Sequence, residues 1–283
     1  MAVKNEILAY LEQHRDQFSS GEAMAKELGI SRAGVWKAVE SLKKDGYQIH
    51  AVTRKGYQLA GDTDILSAES IQPFLNEKCR NLPIQAFSSL ESTNRTAKQH
   101  ALAGAKAGTV ILAEEQTMGS GRLGRSFYSP AHTGIYLSVI LRPNLQASDA
   151  ILVTTAAAVA ICRAIQDVTG PEAQIKWVND LYVGGRKVCG ILTEALMGFE
   201  SGVVECVILG IGLNFSQPEQ GFSLELREKA GALFAKKPDG VTRSRLTGAI
   251  LNHVFSLCGS LQDRSYLDEY RQRSLLMDKE ITF

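Results

Sequence analysis

Residues 119–125 read GSGRLGR, which sets Gly119, Gly121, Gly124, Arg122 and Arg125 within seven positions. Glycine has no Cβ, so its backbone can turn tightly and bring N–H groups close to a ligand. Arginine offers a planar, permanently charged fork that matches carboxylate and phosphate oxygens. Such a loop suits an anion. Between Gln116 and Ser148 there is no Asp or Glu, while Arg122, Arg125 and Arg142 make the local field positive. The spacing Gly119-x-Gly121-x-x-Gly124 also fits the dinucleotide fingerprint, which requires a helix opening at the glycines and an acidic residue about 20 positions later. Pro130 and Gly134 interrupt any such helix, and the acidic residue is absent. No Lys-Ser or Lys-Thr pair stands at Walker spacing, which excludes a P-loop. On these residues alone, a solvated glycine-rich turn stays as open a reading as an anion site.

A second group lies in residues 174–194, QIKWVNDLYVGGRKVCGILTE, an apolar-alternating strand pair around Gly184-Gly185. Lys176, Trp177, Asn179 and Asp180 crowd one end of it. Both groups need a scaffold. Beyond Pro83, strand-like runs (84–87, 109–113, 135–141, 175–178, 187–194, 203–211) alternate with helical ones (94–103, 150–168, 243–258, 266–274). Hairpin-like pairs beside helices predict an α+β domain with a mixed or antiparallel sheet. Its functional residues fall at strand ends and in loops.

The first 61 residues carry a different pattern. Ile7, Leu8 and Leu11 are spaced for a helix, 19–22 reads as a capping box before a second helix stopped by Gly29, and Ser31 caps a third that buries Val35, Val39 and Leu42. The tight turn 28–31 makes helices two and three a helix-turn-helix, and 48–59 alternates through a hairpin tipped by Arg54-Lys55-Gly56, a basic wing. Residues 31–57 hold six cations against two anions, although the whole chain is only +1. Local basicity on this fold predicts DNA binding, with Ser31, Arg32, Trp36, Lys37, Arg54 and Lys55 facing phosphates or base edges; the alternative is a protein-interaction module. A polar linker is expected at 62–67, with a helix over 66–75, and the second domain over 68–275.

Five cysteines, odd in number and without a C-x-x-C pair, and five scattered histidines indicate neither a disulfide framework nor a zinc site. The N-terminus has no apolar signal region, and the Ala-rich run 151–165 is broken by Arg163 and is shorter than the ~20 residues of a membrane span. A cytoplasmic protein with no membrane partner is expected.

Four blocks carry a resemblance: Glu91-Ser92-Thr93-Asn94, GSGRLGR, KWVND followed by GRKVCGILTE, and Gly210-Ile-Gly-Leu-Asn214. In that order and spacing, behind a helix-turn-helix domain, the chain resembles the bifunctional biotin protein ligases that double as biotin operon repressors. The resemblance implies an N-terminal winged helix-turn-helix domain, then a class II synthetase-like catalytic domain. ATP and biotin would give biotinyl-5'-AMP, which acylates a lysine of a biotin carboxyl carrier protein, the biotinyl domain of acetyl-CoA or pyruvate carboxylase. The adenylate-bound form would dimerise on operator DNA. Ser92, Thr93, Asn94, Gln116, Ser120, Gly121, Arg122 and Lys176 would bind biotin. Gly119, Gly121, Arg122, Arg125, Asn179, Lys187 and Asn214 would bind ATP or the adenylate. Arg122, Arg125 and Lys176 would be catalytic, supplying the cations that let a carboxylate approach the α-phosphate. Mg²⁺ would come with ATP, with Asp180 as its candidate carboxylate. Rival readings are a ligand-sensing repressor without ligase activity and a lipoate ligase. The chain departs from the family at Ser120 (usually Arg), Phe127 (Trp) and Val178 (Pro). It stops at Phe283, where 279–283 would begin the small C-terminal barrel, so that domain (276–283) is expected to be largely absent.

Overall fold

Helix α1 (Val3–Gln13) packs against α2 (Gly21–Leu28) and α3 (Arg32–Lys44), and a hairpin of β1 (Ile49–Val52) and β2 (Gly56–Leu59) closes this N-terminal unit. Ile7, Leu11, Met24, Val35, Val39, Leu42 and Leu59 are almost wholly buried in one core, as their spacing predicts. The expected capping box shifts by one residue. Ser20 caps α2, accepting from Ala23 N at 3.0 Å. Ser19 is instead drawn into backbone bonds with Tyr57 of the wing, at 2.8 and 2.9 Å. Gly56 makes that approach possible, since a Cβ there would lie 2.1 Å from Ser19 O.

The computed structural model describes residues 3–15, 17–61, 63–143, 145–146, 149–197, 203–238 and 240–277; the expected barrel segment 279–283 lies outside them. The linker is held on both sides. Arg15 Nη1 donates to Thr63 O at 3.0 Å, Arg243 Nε donates to Asp64 at 3.1 Å, and Leu66 N donates to Glu114 Oε1 at 2.9 Å. Helix α4 spans only Ala68–Ile71, with a 3-10 turn Gln72–Phe74, because Pro73 cuts the longer helix read over 66–75.

The remaining strands form one mixed sheet in the order β3 (Ile84–Phe87), β4 (Val110–Ala113), β5 (Gly134–Leu141), β10 (Val203–Asn214), β9 (Arg186–Met197), β8 (Asp180–Val183), β7 (Gln174–Lys176), with β6 (Leu145–Gln146) beside β10. Only β3–β4 is parallel among these pairs. Helices α6 (Ile151–Thr169) and α7 (Arg243–Cys258) cover one face, burying Leu137, Val139, Leu209 and Ile211; α8 is Tyr266–Gln272. Helix α6 is long and apolar enough to cross a membrane, but here it is a buried core helix. Helix α5 (Thr93–Leu102) covers the other face, over Ile111, Ile140 and Ile208. The strand read over 175–178 ends at Lys176, where the chain turns through a cis Trp177–Val178 peptide into β8. The β8–β9 turn is Gly184-Gly185, both left-handed (φ 58° and 77°) as a two-residue hairpin demands.

Candidate functional site

On the α5 face the apolar layer stops short of one end of the sheet. Along β10, Ile208 is followed on that face by Gly210 and Gly212; along β5, Ile140 is preceded by Ser138; along β9 the positions are Gly190, Leu192 and Glu194. Small residues leave a slot between the sheet and the first turn of α5. The fit is close: a Cβ on Gly210 would lie 2.1 Å from Asn94 Oδ1, and one on Gly212 would lie 2.6 Å from the Phe127 ring.

The slot is lined with paired polar groups. Gln116 Oε1 accepts from Thr93 N (2.9 Å) and Thr93 Oγ1 (3.1 Å), while Gln116 Nε2 donates to Ser129 Oγ (2.9 Å). Ser138 Oγ lies 2.8 Å from Thr93 Oγ1 and 2.6 Å from Asn94 Oδ1. Asn94 Nδ2 donates to Glu194 Oε2 at 2.7 Å and to Leu192 O at 3.2 Å. Ser92 stands at the N-cap of α5, and its hydroxyl makes no capping bond. Ser92, Thr93 and Asn94 are buried. This inner slot encloses about 50 Å³, is also lined by Ser120, Gly121, Arg122 and Phe127, and shares Ser92, Asn94, Ser120, Gly121, Arg122 and Leu192 with an adjoining cavity of about 460 Å³.

Past Phe127 and Lys187 the slot opens into an outer cavity of about 830 Å³, whose cations are Arg122, Arg125, Lys176, Lys187 and Lys229 and whose carboxylates are Asp180 and Glu225. The GSGRLGR loop lies between the two. It is closed by Gly121 N donating to Arg125 O at 2.7 Å, with Leu123 left-handed (φ 56°) and almost fully exposed. Gly119 lines neither cavity but is sterically required, because a Cβ would lie 2.5 Å from Phe127 O. Arg122 Nη1 donates to Asn179 Oδ1 at 3.1 Å, so the loop meets the KWVND turn directly. Asn179 Nδ2 in turn donates to Ile191 O, and Asn214 Nδ2 to Gly231 O, both at 2.9 Å.

Lys176, read as a biotin-site residue, is exposed and lines the outer cavity alone, its Nζ 5.8 Å from the Tyr182 ring centre. As the last residue of β7 it is two strands away from the slot, whereas Lys187 on β9 reaches both cavities. Lys187 Nζ sits 2.7 Å from Asp180 Oδ1, a buried atom without a well-angled hydrogen bond. Among the described residues no group of three or more His, Cys, Asp or Glu could hold a metal ion. Burial pushes the thiols of Cys162 and Cys258 up to about 12, and Cys189 up as well, so these cysteines are inert packing residues.

Several groups lay outside the sequence reading. Ser138 and Glu194 had a signal, each a polar residue on the inward face of an apolar strand. Arg243 had none. It is fully buried and donates to Glu114 Oε2 at 2.7 Å, to Gly134 O at 3.1 Å and to Asp64. Burial works against its charge, but Glu114 and Asp64 more than offset this and hold its pKa above the usual arginine value.

In the N-terminal unit Arg32, Trp36, Lys37, Arg54 and Lys55 are exposed on α3 and the wing, Trp36 by 56%. Ser31 is committed to its cap, accepting from Gly34 N at 3.0 Å. Arg54 is left-handed at the wing tip (φ 68°), and Lys55 Nζ lies 5.9 Å over the Phe18 ring.

Residues 86–214 match the biotin/lipoate A/B protein ligase family, and residues 3–58 match the HTH domain family. Over 265 residues the chain is 34% identical to the bifunctional ligase/repressor BirA of Bacillus subtilis (strain 168), covering 94% of this chain and 79% of that protein. It is 31% identical over 200 residues to the bifunctional ligase/repressor BirA of Escherichia coli (strain K12), covering 71% and 60%. The fold is similar to that of the biotin protein ligase from Aquifex aeolicus in complex with biotin and ATP, with a TM-score of 0.56 at 23% identity over 68% of this chain and 78% of that one.

Proposed function

This chain belongs to the biotin/lipoate A/B protein ligase family, among the bifunctional ligase/repressors, and from that premise we propose how its two cavities divide the reaction. The inner slot takes the neutral bicyclic ring of biotin, whose ureido N–H and C=O groups suit the hydroxyl and amide oxygens of Ser92, Thr93, Asn94 and Gln116. The side chain of biotin then runs out past Phe127, bringing its carboxylate to Arg122 and Lys187. ATP occupies the outer cavity with Arg125, Lys176, Asn179, Asn214 and the loop glycines around it.

A carboxylate oxygen attacks the α-phosphorus, the bond from that phosphorus to the bridging oxygen breaks, and pyrophosphate leaves with the electron pair. Two anions must come together, so the cations that face both are what lower the barrier. Mg²⁺ on the triphosphate would screen further charge. In the second step a lysine amine of a biotin carboxyl carrier domain attacks the acyl carbon and AMP leaves. An aligned loop over the mixed anhydride protects it from water.

The single observation that carries this reading is the Arg122–Asn179 bond, which seats the glycine loop on the KWVND turn across a shared cleft. A biotin-dependent pyrophosphate exchange assay tests it, followed by mass analysis of a carrier domain after incubation with biotin and ATP. No exchange would leave only a ligand sensor; competition by lipoate in place of biotin would make the substrate lipoate.

The N-terminal unit is the operator-binding half, with α3 entering the major groove and the wing on the backbone, acting as an adenylate-bound homodimer. Binding to operator DNA should tighten with biotin and ATP and weaken steeply with salt. Salt-independent binding, or none, removes this half. Five free cysteines suit a reducing cytoplasm.

A further inference from the structure

The outer cavity is also lined by Phe222, Glu225, Leu226, Lys229 and Ala230, from a segment beyond the stretch that matches the ligase family. This segment is fastened to the start of β9. Lys187 N donates to Lys229 O at 3.0 Å, Gly231 N donates to Lys187 O at 2.8 Å, and Arg186 Nη1 donates to Arg227 O at 3.0 Å. Its own turn is closed by Lys229 N and Ala230 N, which both donate to Leu226 O, at 2.9 and 2.7 Å. A Cβ on Gly231 would lie 2.7 Å from Arg186 Cβ, so this close approach depends on glycine. The backbone of Lys229 is therefore held beside Lys187, at the cavity.

The two lysines differ in what they face. Lys187 lines both cavities and is paired with Asp180; Lys229 lines the outer cavity alone, and among the described residues its ammonium has no carboxylate within ion-pair distance. Glu225, four residues earlier, lines the same cavity without pairing to it. A cation with no structural duty, set beyond the reach of the inner slot, matches the part of the nucleotide farthest from the biotin carboxylate.

We propose that Lys229 contacts the β- and γ-phosphates of ATP and stabilises the departing pyrophosphate, supplying the positive charge that the loop lacks at Ser120. This rests on the ligase reading above. As the bond between the α-phosphorus and the bridging oxygen breaks, its electron pair goes to pyrophosphate, and an ammonium placed there gains most in the transition state. Lys229 takes no part in the second half-reaction, which involves no polyphosphate.

The test separates the halves in the full-length chain. For Lys229→Ala, the KM for ATP and the inhibition constant for pyrophosphate in biotin-dependent exchange should each rise about tenfold, the scale of one charge-assisted hydrogen bond. The KM for biotin and the rate of transfer from supplied biotinyl-5'-AMP to a carrier domain should stay as in the parent, and Lys229→Arg should restore most of the loss. An unchanged KM for ATP and unchanged pyrophosphate inhibition would overturn the proposal. So would an equal fall in both half-reactions, which marks a structural role. If the parent protein itself shows neither exchange nor transfer, the ligase reading fails first and this role falls with it.

Discussion

The inner slot and the outer cavity share Gly121, Arg122, Phe127, Asn179 and Lys187, yet their walls are finished differently. In the slot, Thr93, Asn94, Gln116, Ser129 and Ser138 already satisfy one another before any ligand arrives, over floor glycines that tolerate no side chain. In the outer cavity, Arg125 and Lys229 have no carboxylate partner among the described residues, and the carboxylates do not balance the cations. A preorganised neutral pocket can select a ring by shape and hydrogen-bond direction, because a mismatch strands buried polar groups. A surplus of cations at a cavity selects by charge. The loop between them borders both, through Gly121 and Arg122.

Four changes would break or sharpen this division. The largest effect is expected from Arg243→Met. It takes the guanidinium from the buried carboxylates of Glu114, two residues before Gln116, and Asp64, in the linker, leaving Glu114 with Leu66 N and the exposed His132 and Asp64 with the backbone N–H of residue 243. Removing one partner of a buried pair costs about 3–5 kcal/mol, which chemical denaturation measures. The KM for biotin should rise more than that for ATP; equal rises would show that the slot draws no special rigidity from Arg243.

Gly210→Ala comes next. Its methyl must displace Asn94, an overpacking of about 1–3 kcal/mol, so biotin affinity by calorimetry should fall roughly 10- to 100-fold. Retained biotin affinity would mean that the slot is not where the ring sits. Arg122→Ala removes a cation common to both sites and the bond to Asn179, and preformed adenylate should dissociate about tenfold faster. Unchanged retention would count against the loop.

The smallest effect concerns Tyr136, whose ring packs edge-on against Phe127 at 6.4 Å and whose hydroxyl donates to Pro130 O at 3.0 Å. Burial pushes its pKa up to about 12 from 10.0. Below pH 10 this contribution to stability is complete. Above it the unfolded chain loses the proton that the folded one keeps, so stability falls as pH rises from 10 towards 12. Tyr136→Phe should flatten part of that fall in alkaline unfolding curves followed by circular dichroism. An unaltered slope would mean that Tyr47 and Tyr270, also pushed up to about 12 by burial, account for it.

The order of elements and the hairpin at Gly184-Gly185 were legible in the chain because they follow from local rules: periodicity and the φ that glycine allows. The face of a strand is legible too, and a serine in GIYLSVIL or glycines in ILGIGLN already mark where an apolar layer gives way. Which lysine borders both cavities was not. Lys176 and Lys187 both flank the hairpin, and only the order β9-β8-β7 sets Lys187 at both cavities and Lys176 at the outer one alone. Nor could local pattern foresee that Arg243 would join the linker to β4 across 179 and 129 residues of chain. Charge partners at such separation are chosen by how helices and sheet stack, and no spacing rule along the polypeptide encodes that.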